Sequence, residues 1–280
     1  MSPLNSPRIS VPGARPAGAR DEADAARRVR EMFSRIAPRY DLLNHLLSFQ
    51  LDRLWRRRVV RRFHHILSRP EAHILDLCCG TGDLTLALKR GGRARVFGSD
   101  FAHPMLVRAL QKSTCEAGKR LPKGGSRSAA PTAPSGSALA VGVGCPSDYA
   151  EADALQLPFP DASFDLVTAA FGFRNLANYQ RGLREIYRVL RPGGEVGILE
   201  FTEPHGALFG PLFRFYFTRI LPRLGGAISG NAAAYSYLPS SVESFPPPEE
   251  LAAAMSGGGF ADVRFELWTG GSVALHIARR

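Results

Sequence analysis

The chain has 280 residues, 45% of them hydrophobic, enough to bury one sizeable core or two small ones, and no apolar run approaches the ~18 residues of a membrane span. A formal charge of +11 implies attraction to something anionic, whether lipid headgroups, nucleic acid or an acidic substrate. Cys78, Cys79, Cys115 and Cys145 form no CxxC pair or regular framework, and the seven histidines show no i, i+4 pairing, so a reducing compartment and no structural metal are expected.

Met1–Arg20 is rich in Pro, Ser, Ala and Arg and has no acid, so it reads as a disordered tail. A transit peptide shares that composition, but the prolines weigh against an amphipathic helix. Asp21–Ile36 and Asp41–Leu67 read as helices of an N-terminal cap spanning residues 21–70. In the second, Leu42, Leu43, Leu46, Leu47, Leu51, Leu54, Trp55, Val59, Phe63 and Ile66 recur near helical spacing. Arg53, Arg56, Arg57, Arg58, Arg61 and Arg62 fall between them and form either an ordinary solvated face or a surface for anionic lipid.

From Ile74 strands and helices alternate. Ile74–Leu77 is a strand, a helix starts at Asp83, Ala94–Ser99 is a strand, and another helix starts at Pro104. Lys112–Ser147 then breaks the pattern with Lys, Arg, Ser, Pro and Gly, and reads as a flexible insertion that interrupts the domain without dividing it. Tyr149–Asp153 resumes the pattern. Phe164–Ala169 is a strand, Tyr179–Leu190 a helix, Arg191–Gly194 a turn and Glu195–Phe201 a strand. Gly206–Gly230 is apolar and aromatic but carries Arg214, Arg219 and Arg223. Pro246–Gly259 is a helix, and Asp262–Trp268 with Ser272–Ala278 suggests an antiparallel hairpin at the sheet edge.

The stretch from Ile74 to Leu84, with Cys78-Cys79-Gly80-Thr81-Gly82-Asp83 at its centre, is the strand–loop–helix opening of a nucleotide-binding α/β unit. Asp100 ends the next strand, about twenty residues on, where such units place the acid that grips a ribose. A dinucleotide fingerprint needs a third Gly or Ala where this chain has Thr85, and Asp83 would repel a pyrophosphate. The turn suits S-adenosylmethionine, which has no phosphate and carries sulfonium and ammonium charges. The alternative is a structural β–α turn in another α/β protein.

Several longer stretches resemble the menaquinone/ubiquinone biosynthesis C-methyltransferases. They are Met32–Asn44, with its Arg-Ile-Ala-Pro-Arg-Tyr-Asp, Leu75–Leu84, Asp153–Phe159, Phe171-Gly172-Phe173-Arg174-Asn175 and Glu185–Gly194. Leu199-Glu200-Phe201, Tyr235–Leu238 with Ser241-Val242, and Gly270–His276 complete the match, from about residue 22 to the end apart from the insertion. The resemblance implies a Rossmann-like class I S-adenosylmethionine-dependent methyltransferase: an α/β fold with a mostly parallel seven-stranded sheet, an antiparallel C-terminal hairpin and a helical cap. It implies one domain over residues 21–280 and methyl transfer to a ring carbon of a prenylated quinol. Cys78-Cys79 and Asp100-Phe101 look more like the menaquinone branch, so demethylmenaquinol is the expected substrate, with a ubiquinone or phylloquinone precursor as the alternative.

Carried over onto this chain, the cofactor positions are Gly80, Thr81 and Gly82 in the loop, Asp100 at the ribose, Asp153 and Ala154 at the adenine, and Ala170 where the family often has a serine. Asp153 could instead be a helix N-cap. Arg174, with Asn175 orienting it, is expected to stabilise the quinolate or to orient a water rather than take the proton, because guanidinium stays charged. Tyr40 and Asp41 from the cap are further catalytic candidates, and Tyr237 and His276 come from the C-terminal part; each of the four either reaches the ring or makes a structural hydrogen bond. The membrane surface is an expected partner and nucleic acid is not; a cytoplasmic place of work is expected, while peripheral attachment at the inner membrane surface and a homo-oligomer stay open.

Three rivals remain at this point. An NAD-dependent oxidoreductase is disfavoured by Thr85 and Asp83. A nucleic-acid methyltransferase is disfavoured by Ala170-Phe171-Gly172-Phe173, where amine-methylating enzymes carry Asn/Asp-Pro-Pro-aromatic, and by the lack of interleaved aromatics. A non-catalytic membrane scaffold would fail to bind the cofactor.

Overall fold

The computed structural model describes residues 13–41, 48, 50–120, 148–204, 209–221, 223 and 232–280. The strands are β1 (His73–Leu77), β2 (Arg95–Asp100), β3 (Tyr149–Glu151), β4 (Phe164–Ala170), β5 (Leu190–Phe201), β6 (Ala261–Trp268) and β7 (Val273–Arg279). They form one sheet in the order β3-β2-β1-β4-β5-β7-β6. β1 to β5 pair in parallel, while β7 runs antiparallel to both β5 and β6. This is the Rossmann-like class I methyltransferase arrangement, and the C-terminal hairpin closes its edge.

Side chains alternate across the pleat and fill two cores, one on each face. Leu75, Leu77, Val167, Ala169, Val196 and Ile198 face one way, against Tyr179, Leu183 and Ile186 of α6 and against Leu251 and Met255 of α9. Ile74, Leu166, Leu199, Leu275 and Ile277 face the other way, against Trp55, Val59 and Phe63 and against Leu84 and Leu88. The helices are α1 (Glu22–Ile36), α2 (Leu51–Arg62), α3 (His64–Leu67), α4 (Asp83–Arg90), α5 (His103–Arg120), α6 (Tyr179–Val189), α7 (Phe209–Phe215), α8 (Ala232–Glu243) and α9 (Pro248–Gly257). Asp21 caps α1 by accepting the Asp24 N–H, and Asn178 caps α6 by accepting the Arg181 N–H.

Four sequence expectations are corrected, and one helix appears that the sequence did not suggest. The single helix expected over Asp41–Leu67 is interrupted. Gln50 takes a left-handed conformation before α2, and Phe63 leaves helical geometry so that its ring docks on Gly197, where a Cβ would lie 2.5 Å from the ring. Leu42, Leu43, Leu46 and Leu47 lie outside the described residues. α5 continues to Arg120, so Lys112–Arg120 is helix and not loose insertion; the rest, 121–147, lies outside the described residues. Arg191–Gly194 is a bulge inside β5 and not a turn before it: Leu190 pairs with Phe164 and Glu195 with Leu166, and Gly193 absorbs the excess at φ 79°.

The end of the expected tail is anchored. The Ala14 N–H donates to Leu176 O (2.7 Å) and Arg15 donates to Ala177 O (2.9 Å). A Cβ on Gly13 would fall 2.0 Å from Ala177 O, so only glycine fits there. Residues 1–12 lie outside the described residues. Finally, Ala232–Glu243 is a helix that the sequence did not suggest; it contains Pro239, which reads as a breaker. Of Gly206–Gly230, α7 and a π-helical turn at Tyr216–Ile220 are described, whereas 205–208 and 224–231 lie outside the described residues.

Candidate active site

A cavity of about 570 Å³ lies at the C-terminal ends of the parallel strands, where loops after β1, β2, β3, β4 and β5 converge under the cap. Gly80, Thr81, Asp100, Asp153, Ala154, Ala170, Arg174, Asn175 and Tyr40 all line it, so the structure gathers residues that are up to 135 positions apart.

The loop after β1 is shaped by local necessity. Cys78, Gly80 and Gly82 all have positive φ (53°, 55° and 83°). A Cβ on Gly80 would meet only Tyr40, at 3.9 Å, so the backbone at Gly80 lies open to the cavity. Gly82 differs from expectation. It does not line the cavity, and a Cβ there would strike the Tyr149 hydroxyl at 2.8 Å and Ala109 at 3.0 Å. Packing against α5 and β3 by itself demands glycine here.

Asp100, at the end of β2, anchors the loop after β1. Its Oδ2 accepts the Gly80 N–H and its Oδ1 accepts the Ala102 N–H, each at 2.9 Å. Burial pushes its carboxyl up to about 6, against the pull of the backbone donors at Ala102, Gly80 and Phe101. A carboxylate has more lone pairs than these two bonds use, and a pair of vicinal hydroxyls in the cavity could take the rest. Asp153 accepts the Leu155 N–H (2.9 Å) in a local turn and lines the cavity; no helix starts there, so the helix N-cap reading is corrected. Asp76 also lines the cavity and had no assigned role. It is buried in β1, accepts from Thr85 (2.6 Å) and Thr168 (2.9 Å), and burial pushes it up to about 7.

Asp41 is tied up. It accepts from Thr81 Oγ1 and is paired with Lys112 (2.6 Å), and it does not line the cavity. The cap carboxylate therefore latches the cap to the glycine loop, the structural role that the sequence had left open beside a catalytic one. Lys112 also donates to Thr81 (2.9 Å) and to Asp83 (2.7 Å), and Arg56 joins Asp52 and Asp83. The charge of Asp83 is thus met by two side-chain cations rather than held for a ligand. Sequence reasoning missed Lys112 because the residues after it look unstructured.

Arg174 follows β4 in a short 3-10 turn (Phe173–Asn175), 5% exposed. Its Nη1 donates to Glu200 (2.9 Å) and to Phe171 O (2.6 Å), its Nε to Ser241 Oγ (3.3 Å), and its backbone N–H to Glu200 Oε1 (3.0 Å). Glu200 is 0% exposed. The positive charge expected to await a quinolate already has a buried counter-ion, and Arg174 lines the cavity as one half of that ion pair. Glu200 and Ser241 lie in stretches that resemble the family, but nothing in the sequence pairs them with Arg174. The Tyr237 hydroxyl donates to Asn175 Oδ1 (3.2 Å), and burial pushes that phenol up to about 12. His276 makes a structural hydrogen bond: it sits in β7, 1% exposed, with Nε2 on Pro248 O (2.9 Å), and does not line the cavity.

The basic block on α2 divides in the same way. Arg56 turns inward, Arg62 pairs with Glu266 (3.4 Å), and Arg58 lies over Trp268 (5.6 Å). Arg53, Arg57 and Arg61 are exposed at i, i+4, i+8. Among the described residues no group of three His, Cys, Asp or Glu is placed to hold a metal ion, and no helix is long and apolar enough to cross a membrane.

Comparison with known proteins finds relatives over most of the chain. The model of the ubiE/COQ5 methyltransferase family matches residues 21–122 and 141–280, and a general methyltransferase-domain model matches 75–198. A demethylmenaquinone methyltransferase of Thermus thermophilus is 50% identical over 250 residues, covering 89% of this chain and 100% of the relative. That of Deinococcus radiodurans is 45% identical, covering 86% and 88%. A solved SAM-dependent methyltransferase of Thermotoga maritima shares the fold at TM-score 0.55 and 15% identity, covering 90% and 99%.

Proposed function

The chain belongs to the ubiE/COQ5 methyltransferase family and is an S-adenosylmethionine-dependent methyltransferase of quinone biosynthesis; from that premise we propose that its acceptor is a prenylated demethylmenaquinol, methylated at a ring carbon. The observation that carries this reading is one cavity holding both an acid-lined half, at Asp100 and Asp153, and an apolar half reached by the Arg174–Asn175 turn.

The residues fit the cofactor. Gly80 leaves open space beside it, and Asp100 has acceptor capacity to spare for ribose hydroxyls. In this reading Gly80, Thr81 and Asp100 hold the ribose side, Asp153 and Ala154 the adenine, and Ala170 contributes backbone only. When bound, S-adenosylmethionine supplies an activated methyl group. Arg174 and Asn175 then orient the quinol hydroxyl, and Tyr40 helps to cover it. Because the donor is already activated, alignment and exclusion of water carry most of the rate.

The reading is tested by incubating the protein with labelled S-adenosylmethionine and a panel of reduced demethylated quinones. Label should enter the demethylnaphthoquinol ahead of benzoquinol precursors; preference for a benzoquinol would move the enzyme to the ubiquinone branch.

A prenyl tail lies in the bilayer, so the protein works at a membrane surface in this reading. Phe215 (57% exposed) and Ile220 (36%) line the cavity and face solvent, beside the exposed Arg214 and Arg219. The stripe of Arg53, Arg57 and Arg61 supplies the charge, at about 1 kcal/mol for each residue near an anionic surface, weakened by salt. Changing all three to Gln should weaken binding to anionic vesicles at low salt by roughly a hundredfold. Turnover on a short-chain quinol should not change. Equal binding to neutral vesicles would transfer the role to Phe215 and Ile220.

A further inference from the structure

Three aromatic rings at the β4–β5 end of the cavity are not explained by the cofactor. Trp55 of α2, Phe171 after β4 and Phe201 at the end of β5 pack on one another, with ring centroids 5.6 Å (Trp55–Phe171), 6.0 Å (Trp55–Phe201) and 4.6 Å (Phe171–Phe201) apart. All three line the cavity. Each ring is fixed by a different device. The Trp55 indole N–H donates to Thr269 Oγ1 (2.8 Å). The Arg174 guanidinium lies over Phe201, 5.6 Å from its centroid.

Phe171 is held by its backbone. Its φ of 60° is left-handed, a conformation that a bulky residue adopts at a cost and that tends to persist at functional sites. Its N–H donates to Leu199 O (2.8 Å). The next residue, Gly172, presses on Cys78, where a Cβ would come within 2.4 Å of the Cys78 Cβ. The turn after β4 and the loop after β1 are therefore interlocked, and the strained backbone turns the Phe171 ring into the cavity.

The position along the sheet says what this wall is for. The strand order β3-β2-β1-β4-β5 puts Asp153 and Asp100 on one side of the glycine loop and Phe171 and Phe201 on the other. Carboxylates suit a cationic nucleoside with ribose hydroxyls. A rigid aromatic face beside an oriented guanidinium suits a flat aromatic diol, which stacks through its rings and presents a hydroxyl at its edge. We propose that Trp55, Phe171 and Phe201 form the subsite that stacks the fused rings of the acceptor, with Arg174 at its hydroxyl-bearing edge. The proposal rests on the acceptor reading above and adds where the ring lies and which residues select a two-ring system.

Trp55 is its own reporter, because the chain has only one other tryptophan, Trp268, which does not line the cavity. In a Trp268→Phe protein the probe is 2,3-dimethyl-1,4-naphthoquinone. It carries the two-ring headgroup with both reactive ring carbons blocked, so it cannot add to Cys78 or Cys79. Saturable quenching of Trp55 is expected, and it should persist with saturating S-adenosylhomocysteine. Phe171→Leu should raise the KM for a short-chain demethylmenaquinol at least tenfold and change cofactor affinity less than twofold.

Absence of saturable quenching would overturn the proposal. Displacement of the quinone by S-adenosylhomocysteine would also overturn it, since the wall would then hold the nucleoside. The two readings fail separately. Methyl transfer to the quinol without quenching removes the wall and keeps the acceptor, whereas quenching without methyl transfer to any quinol keeps a ring site and removes the acceptor.

Discussion

Replacing Arg174 by methionine is expected to lower stability by about 3–5 kcal/mol and to abolish methyl transfer. The loss comes mainly from what stays behind: Glu200 is 0% exposed, and without the guanidinium at 2.9 Å its charge is buried with no counter-ion. At roughly 2–4 °C for each kcal/mol, the melting temperature should fall by roughly 6–20 °C. Glu200→Gln should also destabilise, by stranding the arginine. The double change, Arg174→Met with Glu200→Gln, removes both charges and keeps an acceptor for the Arg174 backbone N–H, so most of the stability should return. Activity should not return, because the donor facing the quinol is gone. Recovery of turnover in the double variant would show that the pair serves only the fold. Thermal melts and turnover on the same three proteins separate these outcomes.

Asp100→Ala is expected to weaken S-adenosylmethionine binding by about 1.5–3 kcal/mol, or roughly 10- to 150-fold, the scale for hydrogen bonds to a charged acceptor. Calorimetric affinity unchanged from the parent protein would remove Asp100 from the cofactor site. The parent protein should also show a pH dependence that the variant lacks. Burial raises the Asp100 carboxyl to about 6, and hydroxyl donors bind its ionised form, so affinity should fall as pH drops below about 6, by up to tenfold per unit. The fold without ligand moves the other way. A folded-state pKa above the ordinary carboxylate value gives stability that is present at low pH and lost as pH rises through about 6, so at neutral pH the cofactor offsets a cost that the empty fold carries.

The alternation of strands and helices was legible because parallel strands buried on both faces read as short apolar runs, and six of the seven appear within a residue or two of their expected places. Boundaries failed where tertiary contacts override local pattern. Phe63 breaks a continuous helical pattern to reach Gly197, and Lys112 looks like the start of a low-complexity stretch but closes a network on Asp41, Thr81 and Asp83. Asp100, Thr81 and Arg174 could be placed because each sits in a local motif at a strand end. Their partners could not, because the link between Arg174 and Glu200 crosses from the end of β4 to the end of β5 and is fixed only by the register of Ala170 with Leu199. Gly82 and Asp41 belong to well-matched motifs that do not reveal their contacts: the structure packs one against Tyr149 and Ala109 and bonds the other to Thr81.

The central claim concerns a single new bond, from the donor methyl group to a ring carbon of a demethylmenaquinol. The most direct measurement supplies ¹³C-methyl-labelled S-adenosylmethionine and a reduced short-chain demethylmenaquinol, then locates the label by NMR after reoxidation. The expected result is one labelled methyl on the unsubstituted carbon of the quinone ring, formed by the parent protein and lost with Arg174→Met. A label on oxygen, appearing as a methyl ether, or no transfer to any naphthoquinol while another acceptor is methylated, would contradict it.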